Sequence, residues 1–407
     1  MQLDDLPDEN ISFIFQYLNT STILLQCSLV SHRWLIIASE VDLHVVIQNN
    51  FRKANCFLSL LDDQMLQVKS LSLSKNHLNT KHVEMIICSK YLQNISDLDL
   101  SYNNIGTDYL CRRMMKCLGN LRALNLRYSG FGGILIKLDG FSSNSTLSNL
   151  TSLDLSYERV EEHGAEYISN NLKKLQILKL RGCFIQDVGV KHICNLEQLT
   201  SLDLSFNNIG REGCAFISNG KLMKNLKTLD ISNNFLFSHL ALPLLFSGEN
   251  GKNLTSLNMS GLYISMGNEL VSLNNLRELN LSKCKSMGCL NRLNSCDLLS
   301  KLTILNIDCN MIGNVNLNKL QKCKNLKELN ISRNNITCSG AYELSQFDLP
   351  NLTTLILDGN DIQYYGILSI LNSKTLPNPK QLLSKNKSAV IQGLLATVMK
   401  TSLVEDQ

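Results

Sequence analysis

Residues 199–209 read Leu199-Thr200-Ser201-Leu202-Asp203-Leu204-Ser205-Phe206-Asn207-Asn208-Ile209. The spacing of Leu202 and Leu204 is that of a short strand with one buried face. Asn207 follows where such a strand would turn, and its amide can both donate to and accept from backbone groups. The same offsets recur from Val68, Ile95, Leu121, Leu150, Leu175, Leu226, Leu254, Leu276, Leu302, Leu326 and Leu352, giving twelve copies at a mean step of about 26 residues. A unit this thin cannot bury a core alone, so its copies must stack. After the Asn, most copies continue into a polar pair, a Gly and a helical stretch, as in Arg211-Glu212-Gly213-Cys214-Ala215-Phe216-Ile217.

Written generally, the unit is L-x-x-L-x-L-x-x-N-x-I/L, which resembles the leucine-rich repeat. The resemblance implies an α/β solenoid, a horseshoe with a parallel sheet on its concave side and helices on its convex side. Copies with a good Gly-plus-helix match resemble the ribonuclease-inhibitor subtype. The copy from Leu175, with Cys183 and Gly189, is similar to the cysteine-containing subtype common in F-box proteins. Cys183 and Cys284 fill the Asn slot, where packing is the simplest role. Four copies depart from the pattern: Ser129 and Glu158 take the Asn slot in two, Leu262 in a third, and Ser286 replaces the Ile/Leu of a fourth. Irregular structure is expected after the strands from Leu121, Leu254 and Leu276, with a protruding loop near 139–148.

Composition agrees with one small pattern used many times: 76 Leu and 46 Asn among 407 residues. A net charge of +4 over this length predicts neither nucleic-acid nor membrane binding. No apolar run approaches the roughly 18 residues of a membrane helix. The fourteen Cys include no C-x-x-C pair, and the acidic N-terminus lacks a secretory pattern, so free thiols in a reducing compartment are expected. Asn-x-Ser/Thr triplets such as Asn149-Leu150-Thr151 and Asn280-Leu281-Ser282 follow from the repeat's own composition. No metal site or cofactor is expected.

Residues 1–45 do not fit the repeat. Ile11, Ile14, Phe15 and Leu18 form a helical stripe behind Pro7, and Leu24, Leu25 and Leu29 suggest a second helix. Trp34, Leu35, Ile37 and Ala38 suggest a third. The order Leu6-Pro7-Asp8-Glu9, Ile14-Phe15-Gln16-Tyr17-Leu18, Leu24 to Ser31, Arg33-Trp34 resembles the F-box. Asn10 and Thr22 depart from it, where an apolar residue and Asp are usual. The expected organisation is F-box 1–45, linker or cap 46–67, repeats 68–378, and a C-terminal cap helix with tail 379–407.

An F-box followed by leucine-rich repeats looks like the substrate receptor of an SCF-type cullin–RING ubiquitin ligase, in the cytoplasm or nucleus. That resemblance implies docking of a Skp-family adaptor through Leu6, Pro7, Ile14, Leu18, Val30 and Trp34, a cullin scaffold beyond it, and a target protein on the repeats. The alternatives are a ribonuclease-inhibitor-like inhibitor or scaffold, and a small-GTPase activator. An enzyme is not expected: the seven His are dispersed and no phosphate-binding glycine loop is present. Asp99, Asp154, Asp203 and Asp230 read as a solvated row on the strands. Tyr102, Tyr128, Tyr157 and Phe206 stand just before the Asn slot, with Arg127, Lys179 and Arg181 in strand positions expected to face outward. Tyr and Arg are enriched in binding hot spots, so these seven residues are the candidate target-binding set.

Overall fold

The computed structural model describes residues 7–11, 43–60, 68–90, 92–106, 113–114, 117–130, 146–234, 242–246, 251–262, 269–285, 288–295 and 297–404. They fall into two compact units, Met1–Ile185 and Gln186–Gln407. Of the F-box positions only Pro7 to Ile11 are described, so Leu6, Ile14, Leu18, Val30 and Trp34 lie outside, as does most of the 139–148 loop.

In the first unit, strands β1 (Leu43–Val46), β2 (Val68–Ser72), β3 (Asp97–Asp99), β4 (Ala123–Asn125), β5 (Ser152–Asp154) and β6 (Ile177–Lys179) follow one another in sequence order. Each pairs in parallel with the next, and the central Leu are in register: Leu71, Leu98, Leu124, Leu153 and Leu178. Val45 of β1 extends that row, so a strand precedes the first of the twelve copies. The helix Phe51–Leu60 follows β1, with Ala54 and Leu58 buried. Phe57 is half-buried.

The second unit repeats the plan with β7 (Ser201–Asp203), β8 (Thr228–Asp230), β9 (Ser256–Asn258), β10 (Glu278–Asn280), β11 (Ile304–Asn306), β12 (Glu328–Asn330) and β13 (Thr354–Ile356). Leu202, Leu229, Leu257, Leu279, Leu305, Leu329 and Leu355 form its row. All are at most 1 % exposed, and each buried Leu stabilises the stack by about 1.5–3 kcal/mol. Helices such as Arg211–Asn219, Cys338–Ser345 and Tyr364–Leu371 cover the other side of the Leu layer. Gly at their first turn permits close approach. A Cβ on Gly366 would lie 2.7 Å from Ile362 Cγ2 and 3.1 Å from Cys338 Cα. The copy from Leu276 corrects an expectation, since its covering segment is a regular α-helix, Cys289–Ser295. In contrast, the copy from Leu302 uses a tighter 3-10 helix, Leu317–Lys322.

Asparagine works in three distinct rows. In the expected slot, Asn334 Nδ2 donates to Ile307 O of the previous copy at 2.8 Å. Its Oδ1 accepts from the backbone of Asn310 and Ile312 at 2.9 and 3.3 Å. Asn103, Asn234, Asn310 and Asn360 donate in the same way. Cys183 and Cys284 copy the donor half, with Sγ at 3.0 Å from Leu155 O and 3.3 Å from Met259 O. Glu158, in a slot that lacks Asn, accepts from Ser129 N at 2.5 Å.

The second row stands one residue before the repeat. Asn225, Asn275, Asn325 and Asn351 donate to backbone carbonyls of the preceding copy at 2.8–2.9 Å. The third row ends the strands. Asp99, Asp154, Asp203 and Asp230 each accept from the N–H two residues on, at 2.8–3.0 Å, as do Asn258, Asn280, Asn306 and Asn330 at 3.0–3.1 Å. The expected solvated carboxylate row is therefore a series of Asx turns, which bend the chain out of the strand. Ser101, Ser156 and Ser205 consequently turn inward and are at most 4 % exposed, against the expectation that this position faces outward.

At the C-terminal end, the helix Ala389–Val404 buries Ile391, Leu394 and Leu395. Asn386 meets the free edge of β13: its Nδ2 donates to Leu355 O, and its Oδ1 accepts from Leu357 N, both at 2.7 Å.

Candidate functional site

The position before the Asn slot is left-handed in every copy. In the first unit φ is 58° at Lys75, 56° at Tyr102, 49° at Tyr128, 64° at Tyr157 and 64° at Gly182. In the second it is 58° at Phe206 and remains positive at Asn233, Gly261, Lys283, Cys309, Arg333 and Gly359. The geometry belongs to the repeat and not to one side chain, since it holds at Gly182, where the strand ends in Lys179 and Cys183 fills the slot. Gly and Asn suit it, whereas a bulky residue carries a cost of about 1–2 kcal/mol. Three consecutive copies nevertheless place Tyr there. Lys75, Lys283, Cys309 and Arg333 bear the same backbone strain in other copies, so what sets these three apart is the ring itself.

The three rings form a continuous row in the first unit. Tyr102 and Tyr128 centroids are 5.9 Å apart, and Tyr128 and Tyr157 are 6.4 Å apart in an edge-to-face arrangement. Tyr128 is the most open, at 62 % exposure. Cations interleave the row. The Arg127 guanidinium lies 4.9 Å from the Tyr157 ring and 5.6 Å from Tyr102. Lys75 Nζ is 5.3 Å from Tyr102 on the outer side. Arg181 Nε donates to the Tyr157 hydroxyl at 2.6 Å. Backbone bonds set this spacing: Tyr102 N–H donates to Arg127 O at 2.8 Å, and Tyr157 N–H to Arg181 O at 2.6 Å.

Gly182 provides the room for Tyr157, because a Cβ there would stand 3.1 Å from Tyr157 Cδ1. Arg127 and Arg181 are half-buried by these rings, not open on the sheet as expected. Lys179 is exposed and sits 3.8 Å from Asp154. Phe206 belongs to the second unit, where it is 39 % exposed with the same left-handed backbone. The structure thus brings together Tyr102, Arg127, Tyr128, Tyr157 and Arg181. Lys75 and Gly182 are additions that sequence reasoning missed. The signal was present: three Gly and one Asn among the twelve residues at this offset mark a positive φ. Below the row, the sheet face carries Ser72, Asp97, Asp99, Asn125 and Asp154 along a shallow groove. No group of metal-ligating side chains occurs among the described residues.

Comparison with known proteins agrees with this architecture. Residues 3–44 match the F-box-like family model. Leucine-rich-repeat models match residues 300–362, and separately 91–108, 171–194 and 197–218. The chain therefore joins an F-box-like segment to leucine-rich repeats, an architecture typical of binding scaffolds. The CD180 antigen of Mus musculus is 30 % identical over 128 residues, which are 31 % of this chain and 19 % of that protein. The uncharacterized protein F09G8.5 of Caenorhabditis elegans is 33 % identical over 129 residues, 32 % of this chain and 25 % of that protein. The chain spans a quarter or less of these relatives' length. An internalin (InlF) of Listeria monocytogenes superposes with a TM-score of 0.50 at 20 % identity, covering 94 % of both chains, a likeness of fold alone. No helix among the described residues is long and apolar enough to cross a membrane.

Proposed function

We propose that the chain is the substrate-recognition subunit of an SCF-type cullin–RING ubiquitin ligase. Leu6, Pro7, Ile14, Leu18, Val30 and Trp34 dock a Skp-family adaptor, which links the chain to a cullin scaffold. The repeats hold a target protein. The observation that carries this reading is the F-box-like match over residues 3–44 ahead of leucine-rich-repeat stacks. The chain performs no chemistry of its own. It raises the effective concentration of target lysines near the ubiquitin-charged enzyme.

Within the repeats, the target contacts the row of Tyr102, Tyr128 and Tyr157 with Arg127, Arg181 and Lys179 of the first unit, and contacts Phe206 of the second. What supports this is the contiguous row of three exposed Tyr rings with the Arg127 and Arg181 guanidinium groups against them. A reducing compartment, cytoplasm or nucleus, fits the described cysteines, which are all free thiols.

Affinity purification of the full chain followed by mass spectrometry tests the reading. Adaptor and cullin peptides are expected among the partners. Partners without any Skp-family adaptor would overturn it in favour of a plain scaffold or inhibitor.

A further inference from the structure

The first residue after each repeat-opening apolar position alternates in kind. Along the twelve copies it runs Lys69, Ser96, Arg122, Thr151, Gln176, Thr200, Lys227, Thr255, Arg277, Thr303, Lys327, Thr353. One set is hydroxylic; the other is cationic, with a single Gln. The hydroxyls have a structural role. In the second unit Thr255 Oγ1 donates to Lys227 O at 3.2 Å, Thr303 Oγ1 to Arg277 O at 3.1 Å, and Thr353 Oγ1 to Lys327 O at 3.0 Å. The ladder uses only backbone atoms of Lys227, Arg277 and Lys327, their N–H groups and carbonyls, so nothing in the fold calls for their charge.

Those three side chains are exposed, and none forms an ion pair with Asp or Glu among the described residues. Between Arg277 and Lys327 lies an open trough lined by Lys301, Thr303, Asn325 and Asn351 as well. No carboxylate lines it. The nearest acidic residues in sequence, Glu278 and Glu328, sit one step further along their strands, and Glu328 is 3.4 Å from Lys385.

We propose that this edge of the second unit binds an extended acidic segment of a partner polypeptide. Its carboxylates pair with the three cations, and the segment crosses the trough between Arg277 and Lys327. Lys227, Arg277 and Lys327 stand two strands apart, roughly 9.6 Å per step, and three residues of an extended chain cover roughly 10 Å. A left-handed polyproline-II chain rises about 9.3 Å per three-residue turn, so acidic side chains at every third position share one face and meet the cations in register. A nucleic-acid strand fits less well: the trough holds no aromatic ring for a base to stack on. This surface is separate from the tyrosine row and does not depend on adaptor docking.

The test is fluorescence anisotropy of the full chain with three labelled probes. These are a Gly/Ser peptide of about 12 residues with Glu at every third position, its Lys counterpart, and a single-stranded RNA of about 12 nucleotides. The Glu peptide is expected to bind and to weaken with added salt, while the Lys peptide does not bind. The triple variants Lys227→Glu/Arg277→Glu/Lys327→Glu and Lys227→Gln/Arg277→Gln/Lys327→Gln should weaken it by at least about tenfold, the former more. Lys374→Glu, an exposed cation off the trough, should leave it unchanged. Absence of Glu-peptide binding, or binding insensitive to both triple variants, would overturn the proposal. So would RNA binding lost in those variants where the peptide does not bind.

Discussion

Arg181 and Tyr157, one repeat apart, are joined at 2.6 Å from guanidinium Nε to phenol oxygen, directly above a glycine that leaves space for the ring. The pair holds one end of the aromatic row in a fixed orientation. A pre-ordered Tyr loses little further freedom on binding, which is how rigid aromatic anchors gain affinity.

Arg181→Glu, or Tyr128→Ala combined with Tyr157→Ala, should release the target by at least about 2 kcal/mol if the row is a hot spot. Adaptor binding should be unaffected. Co-purification of both partners from the same sample checks this, and full target retention would place the site elsewhere.

Trp34→Ala should abolish adaptor co-purification, since truncating a buried aromatic costs about 3–5 kcal/mol. The repeats should remain folded, because each depends mainly on its neighbours. Circular dichroism of the variant at unchanged amplitude alongside lost adaptor would meet the expectation.

Asn334→Ala should destabilise the second unit by about 3 kcal/mol. It leaves the Ile307 carbonyl and the Asn310 and Ile312 N–H groups without their partner. A denaturant midpoint lowered at constant slope is the expected readout. Asn335→Ala, one residue on and exposed, should cost only about 1 kcal/mol, the strain of Ala at a positive φ.

Burial pushes the thiols of Cys194, Cys284, Cys289 and Cys323 from an ordinary 9.0 up to about 12. The folded state thus favours the neutral thiol. Their contribution to stability is complete below pH 9 and falls as pH rises from about 9 to about 12, because the unfolded chain ionises first. Only the thiolate reacts, so an alkylating agent at pH 8 should label exposed Cys56, Cys88 and Cys117 quickly and these four slowly. Unfolding a separate, unlabelled sample without reductant should release all fourteen thiols. Bridged cysteines in protein isolated under alkylating conditions would contradict this.

The strands were readable because their spacing is strict: every copy places its central Leu at the same offset, and the sheet pairs those residues directly. Two of the three Asn rows were not read. Asn225 and Asn325 stand outside the repeat's consensus core, and their partners are backbone carbonyls that no side-chain pattern reveals. Asp154 and Asp203 looked like solvated residues because an Asx turn bonds an atom only two residues away. β1 was missed because Asp42 and Arg52 stand at the apolar offsets that open and close the consensus, although Asn50 keeps the Asn slot and donates its N–H to Asn76 Oδ1 at 2.6 Å. Arg127 and Arg181 were placed on an open face, since one-dimensional alternation ends where the chain turns inward.

Asn386 has a consequence for self-association. A parallel sheet that ends on a bare strand is a template on which a second molecule can add its own strand. Here the amide occupies both a carbonyl and an N–H on the edge of β13, and Asp358 ties down the backbone N–H groups of Lys387 and Ser388 beside it. Two of the groups needed for end-to-end polymerisation are already spoken for, so one small side chain acts as a chain terminator for the sheet.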